Sequence, residues 1–116
     1  MKALFISPMI PSFDLKITGD FFKNILGFAP VMENKDYAIY IKDNLTIHIL
    51  TAGEDIGQME FYMEVTNIDE LWNLIKDKMN GLKHREPFNQ IYGMREIHIE
   101  IPKTKALLFI GQELKL

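Results

Sequence analysis

The sequence contains no cysteine, and this absence excludes several kinds of chemistry at once. The chain can form no disulfide, bind no metal through a thiolate and use no cysteine nucleophile. A cysteine-free composition fits a reducing compartment. The first apolar stretch is interrupted by Ser7 and Pro8 before the apolar core of a signal peptide is complete. We therefore expect a cytoplasmic protein.

Long hydrophobic runs and clusters of positive charge are also missing. No stretch approaches the roughly 20 consecutive apolar residues that a membrane-spanning helix needs. The 13 Lys and Arg residues are outnumbered by 16 Asp and Glu residues and form no run. Because binding to a phosphate backbone depends on clustered positive charge, this composition argues against nucleic acid as a partner. We expect neither a membrane nor a nucleic acid as partner.

Short catalytic motifs are absent as well. The glycines form no phosphate-binding pattern, and Ser7 and Ser12 do not lie in a nucleophile elbow. Local motifs therefore identify no catalytic residue.

What the sequence does contain is one pattern that occurs twice. In each copy a helix ends at a glycine followed by a bulky apolar residue, and alternating strands come after it. Gly27 and Gly81 are 54 residues apart, close to half of the 116 present. The first copy includes residues 20–28 (DFFKNILGF) and 43–50 (DNLTIHIL), and the second includes residues 68–82 (IDELWNLIKDKMNGL) and 97–110 (IHIEIPKTKALLFI).

The repeat predicts an α+β fold in which two βαβββ modules form a cupped mixed sheet with the helices on the outer face. The length suits one domain. We assign module one to residues 1–52, a Gly-rich polar linker to 53–58 and module two to 59–116. Residues 3–6 (ALFI) are predicted as the first strand.

Both helices have recognisable ends. In the first helix Thr18 is the predicted N-cap and Gly27 the left-handed residue that ends it. In the second, Asn67 with Glu70 three residues later is typical of a capping box, and Gly81 ends the helix.

The strands show a period of two. Residues 37–41 and 45–50 flank Asp43-Asn44, a dipeptide typical of a tight hairpin turn. Residues 59–65, 95–101 and 106–110 are predicted as further strands.

Alternation along these strands separates an apolar face from a polar one. The side chains expected to face the helices are Ile47, Ile49, Phe61, Met63, Val65, Ile97, Ile99 and Ile101. Those expected on the other face are Thr46, His48, Glu60, Tyr62, Glu64, Glu96, His98 and Glu100. If the polar face curls inward, it lines a pocket; if it does not, it is the solvated side of a sheet.

Three segments resemble the glyoxalase, bleomycin-resistance and extradiol-dioxygenase superfamily, also called vicinal oxygen chelate proteins. Residues 20–28 (DFFKNILGF) are similar to its first helix, and residues 59–72 (MEFYMEVTNIDELW) to the strand and helix that open its second half. Residues 92–102 (YGMREIHIEIP) resemble the stretch before the last hairpin in the bleomycin-resistance-like branch. The resemblance implies paired βαβββ modules, a homodimer and a ligand cleft on the concave side of each sheet.

Metal-dependent members of this superfamily carry His, Gln or Glu ligands at matching strand positions. The resemblance puts those positions near Lys2 or Ala3, at Glu60 and near Leu108, and only Glu60 can bind a metal. A divalent transition metal needs three or four nitrogen or oxygen donors. The sequence therefore predicts no metal and no cofactor at the superfamily positions.

These observations favour a metal-free homodimer that binds a small organic molecule, such as an antibiotic or an aromatic or cationic metabolite, on an acidic concave face. The predicted lining residues are Tyr40, His48, Glu60, Tyr62, His98 and Glu100. Two alternatives remain open. One is a glyoxalase-type lyase or isomerase with a divalent metal held by His48, Glu60 and His98, and the other is an accessory domain that only dimerises.

Overall fold

The computed structural model describes residues 1–114 and contains two βαβββ modules that follow one another along the chain. Module one consists of β1 (Met9–Ser12), α1 (Leu15–Asn24), β2 (Ala29–Glu33), β3 (Tyr37–Lys42) and β4 (Leu45–Thr51). Module two consists of β5 (Met59–Glu64), α2 (Ile68–Ile75) with a 3-10 turn at Lys76–Lys78, β6 (His84–Asn89), β7 (Met94–Glu100) and β8 (Ala106–Glu113).

Each module forms a four-stranded mixed sheet. The strand orders are β1-β4-β3-β2 and β5-β8-β7-β6, and in each sheet the first strand pairs in parallel with its neighbour while the others are antiparallel. The predicted α+β fold of two modules is confirmed. Among the described residues, neither helix has the length and apolar character needed to cross a bilayer.

The first strand was predicted wrongly. Residues 3–6 form no strand and are exposed, and β1 is Met9–Ser12 instead. Ile10 in β1 is fully buried and pairs with Ile49. Pro11 is tolerated because β1 lies at the edge of its sheet, where one row of backbone N–H groups has no ladder partner.

The start of α1 also differs from the prediction. Asp14 is the N-cap, and its carboxylate accepts a hydrogen bond from the Ile17 backbone N–H at 3.1 Å. Thr18 is instead buried, and its hydroxyl donates to the Pro102 carbonyl oxygen at 2.8 Å. The chain after α1 turns at Gly27, whose φ of 75° lies in the left-handed region.

In α2 the predicted cap is confirmed, because the Asn67 side chain accepts from the Glu70 backbone N–H at 3.0 Å. The α-helix is shorter than predicted and ends at Ile75. The 3-10 turn extends it before Gly81 adopts a φ of 81°.

The two outer strands, β2 and β6, each carry a proline at an irregularity. The register shifts between Pro30 and Met32 in β2, and between Arg85 and Phe88 in β6, where Pro87 lies. Since these strands are at the sheet edges, the missing proline N–H groups interrupt no central ladder.

The core lies between each sheet and its helix. The helix-facing strand residues predicted from alternation are buried at Ile47, Ile49, Ile97, Ile99 and Ile101, and Phe61, Met63 and Val65 pack partly buried against the same core. Thus the predicted division into an apolar and a polar face is confirmed for β4, β5 and β7.

A buried polar network joins the two modules. The Ser12 and Thr18 hydroxyl oxygens are 2.7 Å apart, and Thr18 continues the chain of hydrogen bonds to Pro102. Nearby, the Phe13 backbone N–H donates to the Lys103 carbonyl at 2.8 Å. Module one is therefore fixed to the turn before β8.

Candidate functional site

A cavity of about 500 Å³ lies on the open face of module two, the sheet face that is turned away from α2. Its lining includes three predicted site residues, Glu60, His98 and Glu100. The other lining residues are Gln58, Met59, Lys83, His84, Arg85, Thr104, Lys105, Ala106 and Leu107. This volume is within the range of small-molecule sites in proteins.

Strand register brings the two glutamates of the cavity together. Leu107 on β8 pairs with Glu60 on β5 and with Glu100 on β7, so the three side chains form one row across the sheet. The sheet therefore places one carboxylate on each side of the apolar Leu107.

The next row is aromatic. Phe109 on β8 pairs with Tyr62 on β5 and with His98 on β7. The imidazole of His98 packs on the Phe109 ring with a tilt of 30° and ring centroids 4.0 Å apart, and it meets the Phe88 ring edge to face with centroids 4.9 Å apart. These two rings hold the orientation of His98.

The third partner of His98 is a buried carboxylate, Glu96. His98 Nε2 lies 2.9 Å from Glu96 Oε1, and Gln90 and Tyr92 also donate hydrogen bonds to Glu96, at 3.1 and 2.8 Å. Glu96 is only 2% exposed. Burial raises the pKa of its carboxyl group, but the hydrogen bonds from His98, Gln90 and Tyr92 outweigh burial and hold the pKa below its ordinary value.

Glu96 was not among the predicted site residues. Alternation places it on the same face as His98, two residues away, and that spacing is the only sequence signal for the pair. A Glu-x-His pair on a strand does not by itself indicate burial of the carboxylate. With Glu96 ionised, His98 donates from Nε2, and Nδ1 of a neutral ring is then an acceptor.

The charges around the cavity differ from the expected acidic face. Lys83, Arg85 and Lys105 line the cavity together with the carboxylates of Glu60 and Glu100. Lys83 pairs with Glu100 at 3.4 Å, whereas Lys105 donates to a neutral backbone carbonyl. The cavity therefore carries positive charge that strand alternation did not predict.

Tyr62 lies outside this cavity and lines a second one. Its side chain is exposed and packs against Gly111, and its hydroxyl donates to Glu64 Oε1 at 2.9 Å. Partial desolvation of the phenol, with the hydrogen bond to Glu64, raises the pKa of Tyr62. The second cavity, also about 500 Å³, is mainly apolar and lies between residues 5–8, β4 and β5.

His48 lies in the other module. The Tyr37 hydroxyl is in hydrogen-bond contact with His48 Nδ1 at 2.6 Å, and the two rings meet edge to face. His48 pairs with Met9 on β1 and with Ile39 on β3, so its surroundings are mainly apolar. The structure does not bring His48 into the cavity of module two.

Tyr40 is on the opposite side of its sheet from the predicted position. It pairs with the buried Ile47, so its side chain points toward α1 and is only 1% exposed. Its hydroxyl donates to Glu33 Oε2 at 2.6 Å. Burial, with the bond to Glu33, raises the pKa of the Tyr40 phenol, and its packing against Gly19 makes it part of the core.

The side chains present do not fit the metal site of metal-dependent superfamily members. Among residues 1–114, no group of three or more His, Asp or Glu side chains is placed to hold a metal ion. Ala3 offers no donor, and Leu108 is buried on the helix-facing side. Its neighbours Leu107 and Phe109, which occupy the open face, are apolar too. A trio of His48, Glu60 and His98 does not form within the described chain.

No family model and no curated protein matches this sequence. Solved structures match over almost the whole chain. A bleomycin resistance determinant encoded on the transposon Tn5 is 20% identical with a TM-score of 0.79, covering 96% of this chain and 98% of that one.

A bleomycin-binding protein from Streptomyces verticillus, in complex with copper(II)-bleomycin, is 18% identical with a TM-score of 0.76 over 100% of this chain and 99% of that one. A lactoylglutathione lyase from Agrobacterium tumefaciens is 12% identical with a TM-score of 0.78 over 96% and 94%. At these identities the likeness establishes the fold and not the ligand or the reaction.

Proposed function

Because the chain has the fold of the glyoxalase, bleomycin-resistance and dioxygenase superfamily, we propose that it binds a small organic molecule in the cavity of module two without a resident metal. The ligand class is an antibiotic or a metabolite with an aromatic part. The protein would sequester this ligand rather than convert it. This role matches the structural neighbours that bind bleomycin.

The observation that carries the proposal is a cavity of ligand size whose polar groups are already held in place. His98 is fixed by Phe88, Phe109 and the buried Glu96, so it can offer a hydrogen bond at little entropic cost. Met59, Ala106 and Leu107 supply apolar surface for an aromatic ligand. The lack of a donor trio among residues 1–114 supports a site that works without the Lewis acid of metal-dependent superfamily members.

The test is a thermal-shift screen against bleomycin-type glycopeptides and planar aromatic amines and acids, followed by calorimetry on any hit. Leu107→Trp fills the cavity floor and should abolish stabilisation by the ligand. Leu74→Trp is the matched control, because Leu74 is 68% exposed on α2 and far from the cavity lining. Equal stabilisation of both variants, or none of the wild type by any compound, would contradict the proposal.

We further propose that the protein is a homodimer. The open face of module one carries apolar side chains that nothing within residues 1–114 covers: Met9, Met32 and Ile41 are each more than a third exposed there. Contiguous exposed apolar surface of this kind is typical of protein interfaces.

The oligomeric state is measured by light scattering after size-exclusion chromatography. Ile41→Glu should give a monomer, because it places a charge on the apolar open face. Ile17→Glu is the control: Ile17 is 41% exposed, against 39% for Ile41, but lies on α1. A wild type that elutes as a monomer at high concentration would refute the dimer.

A metal-dependent lyase or isomerase remains the alternative function, and elemental analysis of protein purified without chelator separates the two. A stoichiometric transition metal retained through dialysis would favour the lyase. The donor chemistry of the open face favours the metal-free binder.

A further inference from the structure

The cavity of module two contains a guanidinium group that is held in place but has no ionic partner. The guanidinium carbon of Arg85 lies 3.4 Å from the centroid of the Phe88 ring, a stacked cation–π arrangement. Within the described part of the chain, no carboxylate oxygen lies within ion-pair distance of Arg85. Stacking uses the face of the guanidinium, so its N–H edge remains available to a ligand.

The other charges at the cavity add to this positive site. Lys105 donates to the carbonyl oxygen of Ile56 at 3.1 Å and forms no ion pair among residues 1–114. Of the two carboxylates that line the cavity, Glu100 is paired with Lys83. The cavity lining thus contains three basic side chains and two acidic ones, although the whole protein has a net charge of −3.

The position of Arg85 next to His98 defines the rest of the site. Arg85 on β6 pairs with His98 on β7, and Phe88 contacts both the guanidinium and the imidazole. A ligand whose charged group meets Arg85 therefore has His98 and the apolar floor of Leu107 beside it. A planar organic group fits such a surface.

We propose, on the basis of the function proposed above, that the ligand of this cavity is a small planar organic acid whose carboxylate is bound by Arg85. The N–H edge of a guanidinium matches the two oxygens of a carboxylate, a fit that an ammonium group cannot reproduce. Lys105 adds to the field that attracts the anion, and His98, oriented by Glu96, offers a polar contact at the ring of the ligand. The same residues would repel a cationic ligand of equal size.

The experiment compares two probes with the same ring and opposite charge, 2-naphthoate and 2-naphthylmethylamine, by calorimetry. The acid should bind saturably and the amine at least about tenfold more weakly. Arg85→Gln should weaken binding of the acid by about 10- to 100-fold, the loss expected for hydrogen bonds to a charged group. Arg85→Lys keeps the positive charge but cannot form two parallel hydrogen bonds to a carboxylate, so its loss of affinity for the acid should lie between those of the wild type and Arg85→Gln.

Lys76→Gln is the control variant, since it removes one positive charge from the exposed 3-10 turn outside the cavity. Its affinity for the acid should stay within about twofold of the wild type, because a distant exposed charge is screened by salt. Arg85 is exposed, so its variants should fold, and their melting temperatures verify this.

Each outcome decides the inference. If the amine binds as tightly as the acid, or Arg85→Gln binds the acid as the wild type does, the anion site is refuted while small-molecule binding stands. If neither naphthalene probe binds at millimolar concentration and the wider ligand screen is also negative, both proposals are refuted. If the probes fail but a cationic compound binds in the cavity, only the anion site is refuted.

Discussion

Replacing Gly19 with alanine should destabilise this protein, although the same change in an ordinary helix is stabilising. Gly19 lies in the middle of α1, where Gly→Ala normally gains about 1 kcal/mol. Here an alanine Cβ would overlap the Tyr40 hydroxyl oxygen and lie 3.0 Å from the ring carbon Cζ. Tyr40 cannot move aside easily, because it is 1% exposed and hydrogen-bonded to Glu33.

The size of the effect follows from these two opposing contributions. Overpacking of a core costs about 1–3 kcal/mol, and a fixed, buried ring places this case at the upper end of that range. After subtraction of the gain in helix propensity, Gly19→Ala should lose about 2 kcal/mol of unfolding free energy. For a domain of this size, the melting temperature should fall by about 8 °C.

A double-mutant cycle tests the physical reason. Tyr40→Phe removes the oxygen that overlaps with the new methyl group, so in that background Gly19→Ala should cost close to nothing, a coupling of about 2 kcal/mol. Urea unfolding followed by circular dichroism measures all four proteins. A stabilising Gly19→Ala, or an equal cost in both backgrounds, would refute the reasoning. A loss of ligand affinity in Tyr40→Phe without any loss of stability would mean that Tyr40 belongs to the binding site, as the sequence predicted.

Three further substitutions test the polar groups that support the fold. Glu96→Leu should cost about 2–3 kcal/mol at pH 7, because it leaves the half-buried donors of His98 and Gln90 unpaired. Because the pKa of Glu96 is lowered in the folded state, its carboxylate stabilises the fold above the ordinary carboxyl pKa, and this stabilisation is lost as the pH falls through the folded-state pKa. In urea unfolding, the unfolding free energies of the wild type and Glu96→Leu should therefore converge at acid pH. Asn67→Ala should lower the unfolding free energy by about 1 kcal/mol through loss of the cap, whereas Asn73→Ala, at an exposed position inside α2, should not. Thr18→Val should cost about 1–2 kcal/mol because it breaks the bond to Pro102 between the modules, and Thr18→Ser should recover most of it.

Features that depend on local interactions were predictable from the sequence. The Asn67 cap needs only an amide oxygen three residues before a free backbone N–H, and the hairpin needs only a turn that accepts positive φ at Asp43, where φ is 53°. Alternation in β4 and β7 likewise separates buried isoleucines from polar residues without knowledge of the partner strand.

The position of β1 could not be predicted in the same way. Residues 3–6 are more apolar than Met9–Ser12 and contain no proline, so local propensity favours them as a strand. A strand also needs a partner, and β4 accepts the segment that places Ile10 opposite Ile49 in the core. Tertiary pairing therefore overrides the local preference.

Tyr40 shows why the face of a strand can be misassigned. β3 reads YAIYIK, and its first five residues are apolar or aromatic, so the pattern has no polar alternation to mark the exposed side. Pairing decides the matter: Ala38 and Tyr40 lie on the buried side, and Ile39 and Ile41 lie on the open face. A tyrosine in such a strand cannot be assigned to a cleft without knowledge of the register.

The charge of the cavity was unpredictable for a related reason. The acidic residues of the open face follow strand alternation, but Lys83 precedes β6, Arg85 lies beside its bulge and Lys105 lies in the turn before β8. These three side chains meet only because β6 and β8 flank β7 in the folded sheet. Since the sign of the local potential decides which charged ligands bind, an acidic strand pattern in a protein of net negative charge can still form a site that selects an anion.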